Sequence, residues 1–154
     1  MKVITNILIS VLSFAISYGI AHLTGSVIVK NAVLLAYVIH WIAYIPAYLF
    51  QTEKFYDLTG SLTFITVALI AFYNNTQFLG NKIDFRSTAI TLFILIWALR
   101  LGSYLFLRIL KDREDRRFKE WKKSFPLFLR TWTMQGMWVF LTSVSGITAI
   151  CSRN

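Results

Sequence analysis

The chain has 154 residues, 56% hydrophobic, 16% aromatic and 15% charged, and its 16 Lys plus Arg against 7 Asp plus Glu give a formal net charge of +9. Soluble domains carry roughly 25% charged residues, so this is a membrane composition, and its apolar content rules out disorder. That content also argues against a nucleic-acid partner, despite the charge. Cys151 is the lone cysteine, which excludes a disulfide scaffold and a cysteine-based zinc site within the chain.

A bilayer core needs roughly 20 mostly apolar residues per helix. Five stretches qualify: residues 3–23, 32–50, 58–79, 89–110 and 127–150. No repeat or linker interrupts them. The fold class is all-α, a polytopic transmembrane helical bundle of about five spans, with residues 1–154 as a single membrane-embedded domain. The first stretch has features of a signal peptide, with Lys2 as a minimal charged start and Gly19-Ile20-Ala21 as a small-x-small site. Its length, and the spans that follow, favour an uncleaved first helix. Pro46 lacks an N–H for the ladder and is predicted to kink the second span.

Basic residues set the orientation. Arg108, Lys111, Arg113, Arg116, Arg117, Lys119, Lys122, Lys123 and Arg130 cluster around loop 111–126, which places that loop in the cytoplasm. The N-terminus and the Gln51–Asp57 loop follow to the same side. Lys30, Lys82, Arg86 and Arg153 fall on the other. Trp41, Tyr44, Tyr48, Tyr56 and Trp121 suit a cytoplasmic interfacial belt. Loop 111–123 mixes signs, and helical spacing predicts the pairs Asp112–Arg116 and Asp115–Lys119. Its arginines also suit anionic lipid headgroups.

Arg100 is the most informative residue. It lies eight residues before Arg108, roughly 12 Å deeper along a helix. An arginine there costs roughly 2.5–3.5 kcal/mol on insertion scales, so a partner or a wet cavity is expected. Trp97, Arg100, Tyr104 and Arg108 fall within an arc of about 80°. One reading pairs Arg100 with Glu53 or Asp57; the other makes this face a wall of a pocket for an anionic ligand. Ala98 and Gly102 form a small-xxx-small pair suited to close helix packing.

Glu53 and Asp57 flank the third span. A buried setting would suit them to proton donation or carbonyl polarisation. The plainer readings are a Glu53–Lys54 pair and Asp57 as a helix N-cap. His22 and His40 sit at different depths, against a shared haem and in favour of structural roles. No P-loop, GxGxxG or HExxH motif occurs, and no metal site is read.

Three segments together carry a family resemblance: Phe55-Tyr56-Asp57-Leu58-Thr59-Gly60-Ser61-Leu62-Thr63-Phe64, then Trp97-x-x-Arg100-Leu101-Gly102-x-Tyr104-Leu105-x-x-Arg108, then Glu114-Asp115-x-Arg117-Phe118. This series resembles the bacterial membrane reductases related to steroid 5-alpha-reductase, over about Gln51 to Val144. The resemblance implies a multi-helix enzyme of the bacterial inner membrane. It would use NADPH to reduce a carbon–carbon double bond, typically conjugated to a carbonyl, in a sterol-like or lipid-like substrate. It implies Glu53, Asp57 and Tyr104 as catalytic positions. Trp97, Arg100, Arg108, Glu114, Asp115 and Arg117 would bind the cofactor or order its cytoplasmic rim.

Two departures qualify it. Trp97 stands where the steroid reductases carry the tyrosine of a Tyr-x-x-Arg, and an indole has no phenolic proton to give. The family's Arg-His-Pro-Asn-Tyr-like stretch has no counterpart before Asn154. The expectation is therefore an N-terminal half, incomplete or inactive alone, with a missing C-terminal half or a second copy as partner. The competing expectation is a non-enzymatic bundle that binds membrane lipid or a partner helix.

Overall fold

The computed structural model describes residues 2–77, 84–112 and 114–152. Lys82, Arg113, Arg153 and Asn154, together with the last residues of the predicted third span, lie outside them. Six helices follow in order: α1 Lys2–Leu23, α2 Val27–Leu49, α3 Tyr56–Gln77, α4 Phe85–Asp112, α5 Phe118–Trp121 and α6 Phe125–Cys151. There is no strand among the described residues. All but α5 are long and apolar enough to cross a membrane. The chain is an integral membrane protein.

The spans are longer than the apolar runs at several ends. Helix α2 begins at Val27, not Ala32, because the Ser26 side chain accepts the Val29 N–H and starts the helix ahead of Lys30. It continues through Pro46 and ends three residues later, at Leu49. Gln51 then adopts a left-handed conformation with φ 48°, closing the helix as a glycine more often does. Helix α4 gains a polar turn at each end. Helix α6 opens at Phe125, with Pro126 in its first turn, where a missing N–H costs nothing.

Helix α6 packs against α1, α2, α3 and α4, and α3 packs against α2, α4 and α6. Gly136 brings α6 onto α2; a Cβ there would lie 3.4 Å from the Tyr37 Cα. The core they share with α3 holds Val29, Val33, Tyr37, Phe64, Val139 and Phe140. A second cluster, Tyr44, Ala47, Phe118, Phe128 and Trp132, seals the end of the bundle that carries the basic loop. Polar side chains inside are mostly satisfied locally. Thr59, Thr63, Thr91, Thr133 and Ser143 each donate to a carbonyl one turn back, which suits a medium without water. His40 does the same through Nδ1 to the Ala36 carbonyl, while its buried Nε2 has no partner among the described residues.

Candidate functional site

Small residues create the site. Ala98 and Gly102 lie buried on α4, and a Cβ on Gly102 would sit 2.7 Å from the Ser61 Cβ. The pair is thus the α3–α4 packing seam. Gly60 does the same toward α6, where an added Cβ would meet the Gln135 Nε2 at 2.5 Å. Gly146 faces Ile94. Between these contacts the three helices enclose a cleft of about 650 Å³, within the usual size of small-molecule sites.

Its walls are apolar: Phe64, Ile94, Leu101 and Leu105, with Phe93, Trp97 and Trp138 at the rim. The Trp97 ring meets Phe64 edge-on at 4.9 Å. Phe93 and Trp138 are 71% and 62% exposed, so the cleft opens sideways, where lipid surrounds the bundle. Ser143 and Thr142 line it with their hydroxyls turned back to Val139 and Trp138. Gln135 differs: its amide makes no hydrogen bond to any described residue. Asp57 closes the cleft toward the basic end, 3.6 Å from the Arg108 guanidinium.

Beyond Asp57 lies a charged rim. Glu53 is buried and accepts two hydrogen bonds, from the Asp115 N–H at 3.1 Å and the Lys122 ammonium at 3.0 Å. Lys122 also reaches Glu114 at 3.2 Å. Burial works against the Lys122 charge, yet the bonds to Glu53 and Glu114 outweigh it and raise its pKa. Asp115 takes Arg117 side-on through both oxygens and also accepts its backbone N–H. The Arg117 bond holds the Asp115 carboxyl below its ordinary range and, reciprocally, raises the guanidinium.

Several expected contacts are replaced. Glu53 pairs with Lys122 and not Lys54, because the loop folds back over it. Asp115 pairs with Arg117, and Glu120 with Lys123; a four-residue α5 leaves no room for the i,i+4 pairs Asp112–Arg116 and Asp115–Lys119. Asp57 lies inside the first turn of α3 and is not its cap. Arg100 meets neither Glu53 nor Asp57. It is exposed on α4 beside Trp97, Leu101 and Tyr104, and makes no hydrogen bond or ion pair to any described residue.

The nine candidate positions therefore divide among three places. Asp57 and Trp97 line the cleft. Arg108, Glu114, Asp115 and Arg117 surround a hollow of about 620 Å³ at the rim, above Glu53. Arg100 and Tyr104 face outward. Gln135, Trp138 and Ser143 are cleft residues the sequence reading did not single out. A lone glutamine in an apolar span was the available signal.

The family model described as protein of unknown function (DUF1295) matches residues 41–154, a stretch that contains every residue of the cleft and the rim. No curated protein and no solved structure matches. The chain belongs to the DUF1295 family, that of steroid 5-alpha-reductase-like proteins.

Proposed function

We propose that this member of the family is the substrate-holding membrane part of a reductase that acts on a carbon–carbon double bond in a sterol-like or lipid-like molecule. One observation carries the reading: an apolar cleft of about 650 Å³ that opens sideways and holds a single unpartnered amide, Gln135. A flat apolar molecule entering from the bilayer would bury its body against Phe64, Ile94 and Leu101. Its carbonyl would take the free Gln135 N–H, or the carbonyl would lie toward Asp57. Burial supplies roughly 25 cal/mol per Å², and the amide supplies orientation, since a buried polar group left unpaired is costly.

The resemblance implies NADPH as hydride donor. The described residues do not form a cradle for it. Arg108 is held by Asp57 and Arg117 by Asp115, and the rim hollow carries Asp112, Glu114 and Asp115 against its three arginines. Arg100 and Tyr104 face away from both cleft and rim. The exposed cations Lys111, Arg116 and Lys119 make no ion pair among the described residues, too scattered for a dinucleotide's phosphates. The cofactor's binding surface would come from a partner. A bundle that holds lipid without reacting is the second reading, favoured by that same lack of a cradle.

The test is photolabelling of the purified protein in lipid nanodiscs with a diazirine sterol. Labels concentrated on α3, α4 and α6, competed by an unlabelled conjugated enone and weakened in Gln135→Leu, support the proposal. Labels spread evenly over α1 and α2 overturn it. Double-bond reduction on adding NADPH and a membrane fraction then separates the enzyme from the inert bundle.

A further inference from the structure

We infer that a groove between α1, α2 and α6, at the basic end of the bundle, holds an anionic phospholipid, with its phosphate on Arg130 and one acyl chain along α1. The groove has a volume of about 330 Å³ and is walled by Ile7, Val11, Phe14, Trp41 and Leu129. It shares no residue with the cleft between α3, α4 and α6, so its occupant does not depend on the reductase reading. Its α1 wall also precedes the family-matched stretch, which begins at residue 41. Two hydroxyls reach the groove, and both are satisfied within the protein. Ser10 donates to the Asn6 carbonyl. Thr133 accepts the Trp41 indole N–H at 3.1 Å and donates to the Leu129 carbonyl. The bond to Thr133 fixes the indole, and the Phe14 ring lies 5.8 Å from it. What remains is an apolar trough with one aromatic side. Ile7 and Val11, 49% and 59% exposed, open it to the acyl chains of the bilayer.

A cation stands at the end of this trough. Arg130 follows Leu129 in the chain, and its Nη1 donates to the side-chain oxygen of Asn6 at 2.9 Å, beside Ile7. Asn6 is buried and neutral. Arg130 makes no ion pair among the described residues. At this end of the bundle Glu53, Asp57, Glu114, Asp115 and Glu120 pair with other cations, and Asp112 lines the rim hollow. The remaining guanidinium donors therefore suit an anion from outside the chain. Arg130 lies in the second turn of α6, roughly 7.5 Å from its start. Helical side chains tilt toward the N-terminus, and the N-terminus of α6 is the end next to the basic loop. Snorkelling thus runs with the helix direction and brings the guanidinium to headgroup level. From Ile7 to Phe14 the trough runs roughly 10 Å along α1, within the roughly 15 Å that one leaflet gives to a core about 30 Å thick. A phosphate on Arg130 leaves its acyl chain at the mouth of the trough, directed down it. The chain's net charge of +9 disfavours the ammonium of a zwitterionic headgroup, so charge complementarity selects an anionic one.

The probe is a phosphatidylglycerol with a diazirine in one acyl chain, carried in phosphatidylcholine nanodiscs that hold the protein. Labels are expected on residues 7–14 of α1 and 129–133 of α6. Unlabelled phosphatidylglycerol should compete about fivefold better than added phosphatidylcholine, the size of one basic contact at a membrane surface. Arg130→Gln should abolish that preference, and Arg130→Lys should keep it. Val11→Trp, at an exposed position, should fill the trough and remove the label while leaving the charge in place. Circular dichroism checks that the helices are intact in each variant. Labels spread evenly over the exposed faces of the helices overturn the inference, as does equal competition by the two lipids. So does a preference that survives Arg130→Gln, which would trace it to the loop cations, or a label unmoved by Val11→Trp. Displacement of the probe by inorganic phosphate also overturns it, because the site would then be one for a free anion.

Discussion

Removing the Glu53 carboxylate should release the loop between α4 and α6 from the bundle. Its side chain is 3% exposed and that of Lys122 is 18%, so their bond is shielded from water. Glu53→Ala takes away a charged hydrogen bond and leaves the Asp115 N–H without its acceptor. Breaking a fully buried pair costs roughly 3–5 kcal/mol. Lys122 keeps Glu114 and some solvent, which brings the expected loss to about 3 kcal/mol. Glu53→Gln retains an acceptor for the amide and loses the charge, for about 1.5 kcal/mol. Equilibrium unfolding in mixed micelles reads the total, and hydrogen exchange at the Asp115 amide reads the local effect. Glu120→Gln is the control, because the Lys123–Glu120 pair is 62% and 73% exposed and such pairs contribute little. If Glu53→Ala unfolds like wild type and the Asp115 amide stays protected, the carboxylate is not what fastens this loop.

The same loop should have a bounded pH range. The Asp115 carboxyl is depressed below its ordinary 3.8, chiefly by its bond to Arg117, so its contribution is present above that value and lost as pH falls through the lower folded pKa. Lys122 is raised above its ordinary 10.5, so its contribution holds below that value and disappears as pH rises through the folded pKa. Trp121 fluorescence should be flat between these limits, and Asp115→Asn should flatten the acid limb. Gly102→Ala should cost about 1–3 kcal/mol by overpacking against Ser61, and Ser61→Gly in the same chain should recover most of it; unfolding of the two variants decides. Gln51→Gly should raise stability by up to about 1 kcal/mol, since a left-handed residue with a Cβ is strained. The loss of the Gln51 side-chain bond to the Tyr48 carbonyl sets the lower end, and unchanged unfolding would show that this bond offsets the strain.

The five spans were legible because a helix that crosses a bilayer must be apolar for its whole length, and that is a property of composition. Their ends were less so. Lys30 interrupts the apolar run inside α2, while the cap that starts the helix is Ser26, four residues earlier. The facing of α4 was not legible for a different reason. Spacing places Trp97, Arg100, Tyr104 and Arg108 on one stripe, but it does not say what the stripe faces. The buried residues of α4 are Ser87, Thr91, Ala98, Gly102 and Ile109, and at 100° per residue their seam lies about 130° around the helix from that stripe. Small residues mark the inward side in a membrane because backbones must approach closely there. Reading the Ala98–Gly102 pair as the inward marker turns most of the stripe outward, with Arg108 near enough to the edge to reach Asp57. The rim pairs were illegible for want of neighbours: nothing in the sequence places Glu53 beneath a loop 62 residues later.

What separates Gln135 and Arg100 from most serines and threonines of the spans is where their hydrogen bonds go. Most serine and threonine hydroxyls here close onto their own helix, and Ser87 reaches the Ile150 carbonyl of α6. A glutamine amide and a guanidinium are too long and carry too many donors to be satisfied that way. Each must find a group from elsewhere, and in a bilayer that group arrives by lateral diffusion. Gln135 looks into a cleft with room for a small molecule, while Arg100 looks out over a shallow groove bounded by two aromatic rings. The shape of the cleft suits a molecule that enters between α4 and α6. Gln135→Leu should weaken sterol labelling, and Arg100→Leu, outside the cleft, should leave it unchanged.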